Sequence, residues 1–435
     1  MRRNSLRTFG TLKMLLAVAV IATLSGVASA AERANSVGQA IGDFTLEDFR
    51  GKSHSLDDYA DAKVVVVAFL GTECPLARLY GPRLQEMADD YAAQGVAFLG
   101  IDSNRQDSIT ELDHYARVYG VKFPLLKDTG NVVADQFGAE RTPQIFVLDA
   151  DRVVRYQGRV DDQYGIGAST GYAKLDVRRR FLPEAIDAIL AGNDVSQPYT
   201  EAPGCLIGRV RDPNQDSTVT YSNQIARILQ KNCVECHREG QIAPFELREY
   251  EEVAGWAAMI EEVVREQRMP PWHADPHFGD FVNDRSLTSD EKELIYEWVR
   301  NGAPEGDPAD LPEPIQYAEG WLGPEPEEVY YMDDKPFDVP ADGVVEYQYF
   351  MVDPGWTEDR WMKTSECLLD NRAVVHHIFV FAVFPGVDLP NFDGAREGIG
   401  EASLGNQNVV LIGGAAPGTP PWAYPREDMA TYLPA

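Results

Sequence analysis

The sequence predicts a multidomain chain: an α/β domain, then an all-α domain, then a β-rich portion. Three observations carry this. Apolar strands and amphipathic helices alternate up to about residue 200; a C-x-x-C-H, Cys233-Val234-Glu235-Cys236-His237, lies between two helical stretches; and apolar runs follow a tract crowded with Pro, Gly and acids between Asp307 and Glu327. With 435 residues the chain is too long for one core. The expected segments are a signal peptide over 1–30, the α/β domain over 35–200, the helical domain over 213–308, a linker over 309–327 and the β-rich portion over 328–435.

Arg2, Arg3, Arg7 and Lys13 precede an apolar run over 14–24 and then Ala28-Ser29-Ala30, the pattern of a secretory signal cleaved after Ala30. The expectation is a periplasmic or otherwise exported protein, with no integral membrane span after cleavage, because no other segment is long and apolar enough. A formal net charge of −30 argues against nucleic acid as a partner. Five cysteines in an exported chain imply defined roles for most of them.

In the α/β domain, Phe44-Thr45-Leu46, the turn at Gly51-Lys52 and Leu56 read as a hairpin. Val64–Leu70 is continuously apolar, which suits a central strand covered on both faces. Gly71-Thr72-Glu73-Cys74-Pro75 then leads into a helical pattern through Leu79, Leu84, Met87 and Tyr91. Cys74 therefore sits where a strand gives way to a helix, and the positive end of the helix dipole there favours the thiolate. A strand over 96–101, a helix over 108–119, Thr142-Pro143, a strand over 144–148 and a closing helix over 178–190 continue the alternation.

This order of parts resembles the thioredoxin-like superfamily, in particular its redoxin branch of peroxiredoxin-related (AhpC/TSA-type) and cytochrome-maturation thiol proteins, over roughly residues 38–195. The resemblance implies a thioredoxin-like fold, a cis Pro143 beside the active thiol, and Cys74 as nucleophile. Two departures stand out. Disulfide reductases of this type carry C-x-x-C, whereas Ala77 occupies the second position here; peroxiredoxins carry Thr three residues before the cysteine, whereas that place is Gly71 and Thr72 stands two before. The remaining candidate resolver is Cys205, in Pro203-Gly204-Cys205, which can fold back on Cys74 from beyond the closing helix.

Cys233 and Cys236, three positions apart at a helix end, can form thioethers to the two vinyl groups of a porphyrin while His237 reaches its iron. Zinc would need four ligands, and no second C-x-x-C exists. Tyr221, Ile225, Ile228 and Leu229 repeat at helical spacing before the motif; Thr288 and Glu291 form a capping box for a helix that ends at Asn301-Gly302. Between them, Arg268-Met269-Pro270-Pro271-Trp272-His273 is an extended loop that offers Met269 as the sixth ligand, with His273 and His277 as rivals. The segment resembles class I cytochromes c, which implies covalent haem c on an all-α domain.

Strands are expected over 344–351 and 374–383, the second containing His376-His377, whose side chains would point to opposite faces. The context over 367–384 resembles the amino-terminal part of copper type II, ascorbate-dependent monooxygenases. That resemblance implies His376 and His377 as two of three imidazoles on one copper. No histidine follows His377, so the third ligand and the second copper site are missing and the portion reads as incomplete. Together these readings describe an exported oxidoreductase combining thiol redox chemistry, haem electron transfer and a copper-monooxygenase-like module, served by redox partner proteins or small-molecule electron donors and acceptors. The competing class is a non-catalytic haem electron carrier whose outer domains only dock partners.

Overall fold

The computed structural model describes residues 35–166, 171–174, 176–281, 284–317, 321, 325–340, 345, 347–371, 374–375, 377–387, 409–415, 422–423 and 431–433. The expected signal peptide over 1–30 lies outside them, and every described element belongs to the unit Ser36–Ala435.

The chain opens with the antiparallel hairpin of β1 (Thr45–Asp48) and β2 (Ser53–Ser55). Next come β3 (Val64–Leu70), α1 (Pro75–Ala92), β4 (Val96–Asp102), α2 (Ile109–Val118), β5 (Leu125–Lys127) and α3 (Val132–Phe137). They are followed by β6 (Arg141–Thr142), β7 (Gln144–Leu148), β8 (Val154–Gly158), the small pair β9 (Tyr164–Ile166) and β10 (Gly171–Ala173), then α4 (Phe181–Leu190) and β11 (Cys205–Leu206). Seven strands form one sheet in the order β2-β1-β5-β4-β3-β7-β8, with β3, β4 and β5 parallel and β7 antiparallel to β3. This is a thioredoxin-like α/β sheet.

Every residue of β3 is buried, because both faces of the sheet are covered. Val64, Val66, Ala68 and Leu70 pack with Leu76, Tyr80 and Leu84 of α1; Val65, Val67 and Phe69 pack on the opposite face with Phe137 and Phe146. Leu79, expected on the buried stripe of α1, is 44% exposed: the helix turns Leu76, Ala77 and Tyr80 inward instead. Ser108 and Glu111 close a capping box at the start of α2.

The α/β domain keeps hold of the chain beyond residue 200, since β11 pairs antiparallel with β6 and sets Cys205 opposite Thr142. Gly204 makes this approach possible. Its φ is +135°, and a Cβ there would stand 2.0 Å from the Thr142 carbonyl oxygen. Gly204→Ala is therefore expected to destabilise the protein by about 3 kcal/mol and to weaken the β6–β11 pairing, read by urea denaturation.

A π-helical turn at Tyr221–Ile225 runs into α5 (Ala226–Asn232); α6 (Tyr250–Arg265) and α7 (Ser289–Arg300) follow, the last with the anticipated Thr288–Glu291 capping box. Helix α6 adds an element between the two helices read from sequence. Its Val253, Trp256, Ile260 and Val264 recur at helical spacing, and all are buried. Trp256 and Trp298 are among the largest fully buried side chains, and one continuous apolar cluster runs from the α1 face of the sheet into α5, α6 and α7. The two domains share a core.

Beyond the extended linker, β12 (Arg360–Met362) pairs with β16 (Thr431–Leu433), while β13 (Ile378–Val383), β14 (Val409–Ala415) and β15 (Trp422–Ala423) form a three-stranded sheet. Two expectations are corrected here. The described residues of 344–351 form no strand, and His377 precedes β13 rather than lying inside it. Tyr347, Met351 and Val374 are exposed. An apolar alternation becomes a strand only where a neighbour takes its hydrogen bonds and a second layer its apolar face. Among the described residues no helix is long and apolar enough to cross a membrane.

Candidate active site

Cys74 is the N-cap of α1, with Pro75 at the first helical position, and is 1% exposed. Its thiol donates to the Thr142 carbonyl oxygen at 2.9 Å, and the peptide from Thr142 to Pro143 is cis. Burial opposes ionisation of Cys74. It is outweighed by hydrogen bonds from the Cys205 thiol, the Thr142 side chain and the backbone N–H groups of Ala77 and Cys205, which draw the pKa down to about 6. Cys205, 8% exposed, moves the opposite way: its hydrogen bond to Cys74, then burial and the charge on Cys74, push it well above an ordinary thiol. The structure thus brings the two cysteines together as unbonded thiols of unequal acidity.

Sequence reasoning missed the surroundings of this pair. The Thr72 N–H donates to Asp107 Oδ2 at 2.7 Å, and Asn104 Nδ2 donates to the same oxygen at 2.9 Å, fixing the loop before Cys74. Arg78 Nε donates to the Thr72 carbonyl at 2.8 Å, and its Nη1 donates to the carbonyl of Pro244 in the helical domain at 3.3 Å. Glu73 meets Glu252 of α6, side chain to side chain. Its position directly before the cysteine was the one available signal.

At the second site, Cys233 ends α5, and the N–H groups of Cys236 and His237 both donate to the Cys233 carbonyl at 3.0 Å, closing a turn that gathers the motif. His237 is buried, and its Nδ1 lies 3.1 Å from the Phe245 carbonyl. A carbonyl can only accept, so Nδ1 carries the hydrogen and Nε2 keeps its lone pair. Burial pulls the imidazole down to about 4, so it is neutral and competent as a ligand; burial also pushes Cys233 up to about 12 and Cys236 upward. Phe245 packs on His237 at 4.8 Å between ring centroids and stacks on Trp256 at 4.1 Å.

Arg238 lies 3.9 Å over the Tyr317 ring; its Nε and the Tyr317 hydroxyl are buried without partners. Two orphaned donors beside a C-x-x-C-H suit an anionic group such as a porphyrin carboxylate. The donor set therefore fits haem. Met269 follows α6 and is 39% exposed, so its thioether is not committed to the core. His273 is exposed, and His277, also exposed, is held by Asp275 at 2.7 Å.

The copper reading finds less. His377 neighbours the rings of Tyr347 at 5.9 Å and Phe379 at 4.8 Å, while His376 lies outside the described residues. Among the described residues no three His, Cys, Asp or Glu side chains gather to hold a metal ion.

Comparison with known proteins bears on the first site. Residues 37–157 match the AhpC/TSA family. Over 120 residues the chain is 30% identical to a thiol-disulfide oxidoreductase ResA of Geobacillus thermodenitrificans, covering 28% of this chain and 67% of that protein. The chain belongs to the AhpC/TSA family. A ResA of Bacillus thuringiensis is 28% identical over 179 residues, covering 40% of this chain and 98% of the relative. A solved structure of a hypothetical protein from Sinorhizobium meliloti shares 34% identity, with a TM-score of 0.36 over 40% of this chain and 96% of that one. This AhpC/TSA member is an oxidoreductase, and thiol-disulfide chemistry is supported for its amino-terminal domain.

Proposed function

We propose that the protein is an exported thiol-disulfide oxidoreductase in which Cys74 attacks and Cys205 resolves, joined to a helical domain that carries covalent haem c. The observation that supports it is the hydrogen-bonded pair of thiols, one acidic and one not, beside the Thr142 carbonyl. The Cys74 thiolate attacks a substrate disulfide, forming a mixed disulfide and releasing one substrate thiolate. That step removes the negative charge on Cys74, and with it the hydrogen bond and charge that hold the Cys205 proton in place. Cys205 then gives up its proton and attacks Cys74 Sγ. The second substrate thiol leaves, and a Cys74–Cys205 disulfide remains; two enzyme thiols are oxidised and one substrate disulfide is reduced.

On the helical domain, Cys233 and Cys236 would hold the haem by thioethers, His237 Nε2 and Met269 would ligate its iron, and Arg238 and Tyr317 would meet a carboxylate. Bound there, haem would supply one-electron transfer. Copper on His376 and His377 rests on the monooxygenase resemblance alone, and no step is drawn through it. The second reading, a haem carrier with a retired thiol domain, draws on the burial of Cys74. Peptide mapping of the oxidised protein separates the two: a Cys74–Cys205 bond is expected, and a Cys205–Cys367 bond or a permanently free, inert Cys74 favours the carrier.

A further inference from the structure

Helix α6 meets the thiol loop through a contact the thiol chemistry does not require. Glu252 and Glu73 are hydrogen-bonded carboxyl to carboxyl. Glu73 Oε2 is buried and receives no N–H or O–H donor, while Glu252 Oε1 accepts from Trp256 Nε1 at 3.2 Å. Two carboxylates in contact cannot both be ionised; a proton between them turns repulsion into a hydrogen bond. Their surroundings do not relieve the charge. Asp107 and Glu111 face the pair from the α/β domain, Arg105 is bound to Glu251, and Arg78 is bound to the carbonyls of Thr72 and Pro244.

The same helix packs against β11, the strand that carries Cys205. The Leu206 N–H, next to Cys205, donates to Met259 Sδ of α6 at 3.4 Å, and Arg141 and Arg268 both bind Glu262 of α6, at 2.7 and 2.6 Å. With Cys74 1% exposed, no substrate disulfide can reach its sulfur while this packing holds. We propose that the Glu73–Glu252 contact is a latch holding α6 over Cys74, which opens as the shared proton is lost and so controls access to the thiol.

Burial, then the hydrogen bond and charge of Glu252, push Glu73 up to about 9; burial pushes Glu252 upward as well. In the open state Glu73 returns toward its ordinary value. The closed state therefore binds a proton that the open state releases, so opening grows with pH from the ordinary carboxylate range until about pH 9 and then levels off. For one proton the rise is at most about tenfold per pH unit. The latch stands on contacts that do not depend on whether Cys74 turns over.

Alkylation of Cys74 by iodoacetamide in the full-length protein, followed by peptide mass, tests it. Cys74 is already a thiolate above about pH 6, so any further rise in rate toward pH 9 reports opening. Wild type is expected to rise by up to about a hundredfold over two pH units. Glu252→Gln, whose amide donates to Glu73 without a titrating proton, should be slow and flat; Glu252→Ala should be fast and flat. An unchanged rise in Glu252→Gln, or a flat wild type, overturns the latch. Amide exchange over 250–256, corrected for its intrinsic pH dependence, decides the same question without the thiol. Protection falling with pH in wild type alone supports the latch, and an equal fall in Glu252→Gln sinks it. A tenfold rise per pH unit in Glu252→Ala alkylation would instead count against the acidic thiol of the proposed function.

Discussion

Cys74→Ser is expected to abolish disulfide reduction, by at least about a thousandfold, because it removes the only thiol at this site that is ionised at neutral pH. Cys205→Ser should behave differently. The first attack survives it, the second is lost, and a mixed disulfide on Cys74 should accumulate, visible as an adduct by mass spectrometry. The pH dependence carries a sign that can be checked. Cys74 is lowered from 9.0 to about 6, so the thiolate's attack should rise with a midpoint near pH 6 in any variant whose site is open. A folded-state pKa depressed in this way also contributes stability that is fully present above 9.0 and is lost as pH falls toward 6. Oxidation should stabilise the protein further, since closing a loop from Cys74 to Cys205 contributes about 4 to 5 kcal/mol on the chain-entropy model. Equal turnover by Cys74→Ser and wild type would remove the thiol domain from the chemistry.

What could be read from the sequence follows the range of the interaction that decides it. The position of Cys74 is local: an apolar β3, a short Gly-Thr-Glu turn and Pro75 dictate a strand-to-helix junction, and the structure has one. Cys205 came from counting cysteines; its seat beside Cys74 depends on the β6–β11 pairing and on the bare backbone of Gly204, neither of which has a strong signal in a two-residue strand. Helix α6 was missed although Val253, Trp256, Ile260 and Val264 recur at helical spacing, and its landing on Glu73 has no local signal, because no local pattern encodes a contact between residues so distant in sequence. In the β-rich portion the described residues of 344–351 form no strand despite their apolar pattern. Val345, Tyr347 and Met351 lie exposed, and pairing rather than propensity decides strands.

On the proposed haem c reading, the protein should show a low-spin c-type spectrum that His237→Ala removes, and stoichiometric covalent haem that Cys233→Ser or Cys236→Ser removes. Because the Phe245 carbonyl takes the Nδ1 hydrogen, the imidazole is locked in the tautomer with Nε2 free, and its burial keeps it neutral across the physiological range. Alanine leaves no nitrogen to replace it, whereas serine at either cysteine removes one thioether, so that the fraction of chains with covalently attached haem falls and any unattached haem is extracted by acid-acetone. Met269 is separable from these. Met269→Ala should leave haem attached and remove the long-wavelength sulfur-to-iron band, with a lower reduction potential because the thioether, which favours ferrous iron, is lost. His273→Ala and His277→Ala should leave that band in place, since only a sulfur ligand gives rise to it. If wild type lacks the band and one histidine change alone alters the low-spin spectrum, the sixth ligand is that histidine.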